Sequence, residues 1–370
     1  MWKVFVGLAL VGALWVGFGV GPLFSLSPLF DRLPPTRDPP ASFPPHVLVH
    51  QPLTANVDSY QIVAQHFLFK PSVLGRFPSS SDVPILDRDS KLLFCWIPKN
   101  ACTMIKALMC RRFGTAQFNG TSTNQDFRVI HGKCMDNATT LYDESRDSWI
   151  WKNQSWTKWG LIRHPFDRFM SGYLEKCVKT QRYCYNCNVT DLACFVTENY
   201  KYFKDLSRHY STWRRAKGDS IGLYDHFAPQ YWFCDFASRL FQFNRLFVHS
   251  KTAQFSQEIR ESYRRIGYPA SLLDSGWGES RDEPFLNFSS IDVKPTAENN
   301  TFWRTLKSDL DLVEILFRTF AVDFVFLNFG LPDWVGNLCR EINSSKDLLH
   351  YSVCHYWNYV SSRKTQDYVL

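Results

Sequence analysis

With 370 residues, the chain has room for one core of about 250 residues plus shorter accessory segments. Hydrophobic residues make up 45% and aromatic residues 16%, which supports a large buried interior and excludes wholesale disorder. Lys and Arg outnumber Asp and Glu by 42 to 35; this net +7 suits an anionic ligand, but it is spread along the chain rather than gathered in a tail, so no nucleic-acid partner is expected.

No charged residue occurs from Val4 to Phe30, and Val4 to Val20 is continuously apolar or Gly. Extended to Leu26, this run is long enough to cross a bilayer, and residues 4–26 read as a transmembrane signal anchor behind a cytosolic tail of residues 1–3. Lys3 precedes the run, while Asp31/Arg32 and Arg37/Asp38 cancel behind it, so positive charge favours a cytosolic N-terminus. The alternative is a cleaved signal peptide, whose apolar core is usually shorter, about 7–15 residues. Pro34, Pro35, Pro39, Pro40, Pro44 and Pro45 then favour an extended spacer, and the turn-formers from Phe77 to Val83 close a stem spanning residues 27–83. A folded domain is expected over 84–335, with a C-terminal extension over 336–370.

Within that domain the apolar run Lys91–Ile97 predicts a strand stopped by Pro98, followed by a helix over Thr103–Arg111. The pattern recurs where Trp159–Ile162 leads into Arg163-His164-Pro165, with Phe166, Met170, Tyr173 and Cys177 at helical spacing behind it. Strands followed by helices imply an α/β domain, a P-loop-like parallel sheet flanked by helices, preceded by the transmembrane helix. Leu310–Phe329 reads as an amphipathic helix running into a further apolar segment, with packing in the core as its expected role. Cys177, Cys184, Cys187 and Cys194 read as two disulfides in an oxidising compartment, with a zinc site as the alternative. Glycosylation sequons at Asn119, Asn137, Asn153, Asn188, Asn287, Asn299 and Asn343 fit that compartment.

Two segments carry charge where strands end. In Pro98-Lys99-Asn100-Ala101-Cys102-Thr103 a loop opens a helix, so backbone N–H groups, the helix dipole, the Lys99 ammonium and the Thr103 hydroxyl can converge on a phosphate or sulfate. The same residues also make an ordinary turn with a capping threonine. The glycines and terminal Gly-Lys-Ser/Thr of a Walker A loop are absent. In Leu161-Ile162-Arg163-His164-Pro165-Phe166-Asp167-Arg168-Phe169-Met170-Ser171-Gly172-Tyr173, the Arg163 guanidinium and the Ser171 hydroxyl form a phosphate receptor. The alternative is an arginine that pairs with Asp167.

Taken in order, these motifs resemble the Golgi carbohydrate sulfotransferases, particularly the branch that holds the chondroitin and dermatan 4-O-sulfotransferases. The family's Pro-Lys-x-Ala-Cys-Thr loop and its Arg-x-Pro-Phe-x-Arg-x-x-Ser-x-Tyr segment are both matched. The resemblance implies a sulfotransferase fold and a sulfuryl donor, 3′-phosphoadenosine 5′-phosphosulfate (PAPS). It places Pro98, Lys99, Asn100, Ala101, Cys102 and Thr103 at the 5′-phosphosulfate, and Arg163 and Ser171 at the 3′-phosphate. It implies a glycan acceptor of the chondroitin-like glycosaminoglycan class, and a Golgi membrane protein of single-pass type II with its catalytic domain lumenal. Asp225-His226-Phe227-Ala228-Pro229, followed by Cys234, is similar to a family His-Trp-x-Pro stretch before a Cys-x-x-Cys. Val322-Asp323-Phe324 is similar to its Asp-Phe signature. Phe227 and Ala237 depart from the pattern, which marks a divergent member.

Lys99 is the expected stabiliser of the leaving phosphate. A base must take the acceptor's proton, and His131 and His226 are the candidates, with a structural role as the alternative for each. No metal is expected in the chemistry. The competing function is a non-catalytic Golgi glycan-binding protein of the same fold. A lumenal glycosyltransferase would show an Asp-x-Asp pair, and the one such triplet weighed, Asp309-Leu310-Asp311, falls in the expected amphipathic helix.

Overall fold

The computed structural model describes residues 63–68, 84–101, 105, 108–109, 112, 142–181, 184–208, 219–250, 252–274, 276–277, 280–284, 297–342 and 351–366. The expected anchor at 4–26 and most of the stem lie outside them, as do Cys102, Thr103 and His131.

Four strands, β1 (Ile85–Asp87), β2 (Leu92–Cys95), β3 (Thr157–Ile162) and β4 (Arg245–Val248), form one sheet in the order β1-β2-β3-β4. β2, β3 and β4 are parallel, with Cys95 opposite Gly160 and Ile162 opposite Val248, while β1 runs antiparallel at the edge. That edge strand is an addition to the expected parallel sheet. It is made by a tight turn in which Asp87 Oδ1 accepts from Asp89 N at 3.1 Å and Ser90 N at 3.2 Å. β2 is buried throughout, as a strand covered on both faces must be. Alternation divides its side chains. Leu92, Phe94 and Trp96 join the cluster under helix α4, and Cys95 and Ile97 join the larger core on the other face.

The helices are α1 (Pro165–Tyr173), α2 (Leu192–Arg208), α3 (Asp219–Phe227), α4 (Ala253–Arg265), α5 (Ala297–Lys307), α6 (Leu310–Phe326), α7 (Asp333–Ile342) and α8 (Ser352–Gln366), besides shorter turns. Pro165 opens α1 at its first turn, where a missing N–H is harmless. The main core is built from phenylalanines, with the Phe169 ring 5.6 Å from Phe195, 5.6 Å from Phe227 and 6.0 Å from Phe320.

Helix α6 covers most of the Leu310–Phe329 segment and packs in the core as expected, buried on nearly every side. It bends at Phe320, next to Thr319, whose hydroxyl donates back to Ile315 O at 3.0 Å, a bond that loosens the helical ladder. Asp309 caps its first turn by accepting from Leu312 N, and Asp311 accepts from Tyr351 Oη, so both acids of the Asp-Leu-Asp triplet have structural partners.

Two segments outside 84–335 also enter this core. Val63 and Leu68 are buried in it, and Leu68 O accepts from Trp232 Nε1 at 2.6 Å. At the other end, α8 is tied to α7 by the Cys339–Cys354 disulfide. Its N-terminus rests on the buried Glu314 carboxylate, which accepts from Ser352 N at 3.0 Å, Ser352 Oγ at 2.5 Å and Val353 N at 2.8 Å. An acid at a helix N-terminus meets unpaired N–H groups and the positive end of the dipole. Glu314→Ala is therefore expected to lower stability by about 3 kcal/mol in urea unfolding, because it strands buried donors. Amide exchange should speed up in α8 before it does in the sheet.

Candidate active site

The site forms at the C-terminal ends of the parallel strands β2 and β3, where open α/β sheets place their ligands. Beyond β2 the chain turns sharply through Lys99 (φ 73°) and Ala101 (φ 56°), both left-handed, before helical residues resume at Ile105. A non-glycine residue in that region costs about 1 kcal/mol or more, so the surroundings must hold it. Asn100 does so from inside. It is fully buried, and its amide nitrogen donates to Leu161 O at 2.8 Å and to Gln230 Oε1 at 2.7 Å.

Beyond β3, Arg163 is held by the same glutamine. Its N–H donates to Gln230 Oε1 at 2.9 Å, and its carbonyl accepts from Gln230 Nε2 at 2.7 Å. Its guanidinium donates through Nη1 to Lys99 O at 3.1 Å, so the two loops touch directly. No carboxylate lies within ion-pair distance of Arg163 among the described residues, and the expected alternative partner, Asp167, acts only through its field. Burial pulls the guanidinium down from its ordinary value, and Asp167 partly offsets this.

Arg168, the second arginine of the motif, serves the scaffold. It is buried and donates to Pro98 O at 3.0 Å, Ala228 O at 2.6 Å and Asp225 O at 3.2 Å, which ties the Lys99 loop to the end of α3. His164 is likewise local. Its Nε2 lies 3.1 Å from Gly330 O, and its ring meets Phe166, Phe324 and Phe329.

Lys99 reaches Glu175, which lies one turn beyond Ser171 on the same side of α1 and its continuation. Burial pushes the Glu175 carboxyl up, but the Lys99 and Lys176 ammoniums outweigh it and hold it at about 2. His226, in the last turn of α3, faces the same group of charges. Burial first, then the Lys99 and Lys176 ammoniums, push its imidazole down to about 2, while Glu175 opposes them. Its Nδ1 is buried with no hydrogen-bond partner among the described residues. Lys99, Arg163 and His226 are thus brought to one place, and Ser171 stands on the helix face that carries Glu175. The spacing of the sequence singled out neither Glu175 nor Gln230. Glu175 was visible only as a carboxylate four residues after Ser171, and Gln230 as the residue after Pro229.

The four clustered cysteines form Cys177–Cys184 and Cys187–Cys194, the two-disulfide arrangement expected of them. Cys234 pairs with Cys95 at the end of β2, a partner far from the missing Cys at Ala237.

A family model described as the sulfotransferase family matches residues 84–330. An uncharacterized protein of Caenorhabditis elegans is 25% identical over 255 residues, which cover 66% of this chain and 68% of the relative. A second C. elegans protein, named for a sulfotransferase (vep-2), is 25% identical over 193 residues, 50% of this chain and 58% of the relative. Carbohydrate sulfotransferase 11 of Rattus norvegicus is 30% identical over 99 residues, 27% of each chain. No solved structure matches.

Two expectations follow from the packing around His226. A Cβ on Gly172 would lie 2.7 Å from the buried Phe227 ring and 3.2 Å from His226 O. Gly172→Ala should therefore push α3 from α1 and lower stability by about 1–3 kcal/mol in chemical denaturation. The folded protein also refuses a proton that the unfolded chain takes at His226 below about 6.5. This stabilisation is complete above that pH and is lost as pH falls toward 2. Between pH 7 and 5 the wild type should lose about 2 kcal/mol more than His226→Asn, read from urea midpoints at both pH values.

Proposed function

The chain belongs to the sulfotransferase family, and from that premise we propose that it is a PAPS-dependent carbohydrate O-sulfotransferase. The observation that carries this reading is the pair of cations, Lys99 and Arg163, at the ends of adjacent parallel strands and joined through Lys99 O. A half-buried guanidinium with no carboxylate within ion-pair distance among the described residues suits an external anion. A donor with a phosphosulfate at one end and a 3′-phosphate at the other supplies two anions for two cationic positions. Lys99 and Ala101, with Thr103, are assigned to the 5′ end, and Arg163 with Ser171 to the 3′ end. Pro98 and Asn100 hold the loop from below through Arg168 and Gln230.

In transfer, the acceptor oxygen forms its bond to sulfur as the bond from sulfur to the bridging phosphate oxygen breaks, and the electron pair leaves with the phosphate. Lys99 steadies that charge. The acceptor's proton passes to a base, for which His226 and His131 are the candidates. His226 is a weak acceptor while two ammoniums face it. An anionic donor that neutralises them raises its basicity, which couples base strength to donor binding. The likeness to carbohydrate sulfotransferase 11 supports a glycan acceptor, which we take to be a chondroitin-like glycosaminoglycan. The apolar run at 4–26 and the sequons support a Golgi membrane protein of type II with a lumenal domain.

The test is sulfate transfer from radiolabelled PAPS by the full-length protein to desulfated chondroitin, dermatan, heparan and N-glycan acceptors. Lys99→Ala should lower kcat by about a hundredfold or more, and Arg163→Ala should raise the donor KM by about tenfold or more. A folded protein that binds the product nucleotide yet transfers to no acceptor would favour a non-catalytic glycan-binding role.

A further inference from the structure

Helix α1 does not end cleanly after Tyr173. It widens into a π-helical turn, Leu174–Lys179, a form concentrated at functional positions. The turn is braced on both sides. Tyr173 Oη donates to Val189 O at 2.6 Å, and Cys177 is bonded to Cys184. On this braced turn Glu175 presents one carboxylate oxygen to Lys99 and the other to Lys176, the latter at 3.0 Å. The Lys99 side chain is 9% exposed and that of Glu175 is 47% exposed. The carboxylate reaches water, whereas the ammonium is enclosed.

An ammonium that neutralises a carboxylate does not at the same time give its full charge to a leaving phosphate. We propose that Glu175 is a positioning residue that occupies Lys99 in the donor-free protein and yields it to the donor's 5′-phosphosulfate. The proposal rests on the donor-binding role assigned to Lys99 above. The exchange suits the surroundings. An incoming anion repels Glu175, the neighbouring Lys176 retains it, and its exposure gives it a solvated alternative. Lys99 trades one anionic oxygen for another and is never left as a bare buried charge, which would cost far more than the pair itself. Lys176, His226 and Arg168 are charged or titratable groups that share the field of this pair. The displaced carboxylate therefore stays beside the imidazole, where it favours protonation of His226.

A charge clamp of this kind lowers the apparent donor affinity by the fraction of molecules in which Lys99 is released. Glu175→Gln removes the competing charge and keeps the size. The full-length protein and this variant would be titrated with 3′-phosphoadenosine 5′-phosphate, the product nucleotide, by calorimetry, with melting temperatures recorded for both. Glu175→Gln should bind about fivefold more tightly, and Glu175→Asp, which keeps the charge, should return toward the wild-type affinity. In the nucleotide-free proteins, acetic anhydride should label Lys99 faster in Glu175→Gln than in the wild type, because loss of the carboxylate frees more of the amine. Nucleotide binding that is equal or weaker in a folded Glu175→Gln would overturn the clamp and leave the sulfotransferase reading in place. A folded wild type that does not bind the nucleotide would overturn that reading, and the clamp with it.

Discussion

The side chain of Gln230 is the constraint on which the site depends. One buried amide accepts from Asn100 and from the Arg163 N–H, and donates to the Arg163 carbonyl. It thereby sets the loop after β2 against the loop after β3. Gln230 is itself set by Asp323, whose two oxygens accept from Gln230 N and Tyr231 N at 2.8 Å each. Burial raises the Asp323 carboxyl to about 6, against the pull of those backbone donors and of Arg168. The carboxylate stays useful because its hydrogen bonds are made. A buried network in which Gln230 and Asp323 are held from several sides admits few arrangements, and so it places Lys99 and Arg163 more sharply than a loop alone could.

Electrostatics follows from that placement. The fold brings Lys99, Arg163, Arg168 and Lys176 into one region. Arg168 is answered by three carbonyl oxygens, and Lys99 and Lys176 share Glu175. His226, set among these charges, is kept neutral. The region is thus prepared for anions, and the imidazole is prepared to change its proton affinity when an anion arrives.

Much of this was legible in the chain. Apolar runs ending at Pro98 and before Pro165 marked two strands and the loops behind them, because strands buried on both faces must be apolar and proline ends them. A cation just past such a run falls at a sheet end, so Lys99 and Arg163 could be placed beyond β2 and β3. Their partners could not be placed. Gln230 lies 67 residues from Arg163 and Cys234 lies 139 residues from Cys95, and no local period reports contacts across such distances. Residues 63–68 sat between proline-rich and turn-forming stretches, and the short apolar sequence gave no sign that Trp232 would reach Leu68. Helix α6 was expected to pack in the core, but the partners of its acids were not legible. Glu314 and Asp323 interrupt an apolar helix as a wet face would, yet both point into networks that need a buried acceptor.

The covalent links fall where the hydrogen bonds alone would leave a strand end free to shift. Cys95 is the last residue of β2 and Cys234 follows the turn that carries Gln230, so this disulfide and the Gln230 network close the same gap from two sides. Group transfer is sensitive to displacements of about an ångström, which makes such double fixing worthwhile at the end of β2. The π-turn beyond α1 is stapled separately by Cys177–Cys184. The Lys99–Glu175 pair is one contact between the loop after β2 and this turn, beside the bond from Arg168 of α1 to Pro98 O. An ion pair with one exposed partner is an element that a bound anion can exchange while the Arg168 and Gln230 hydrogen bonds around the loop stay made.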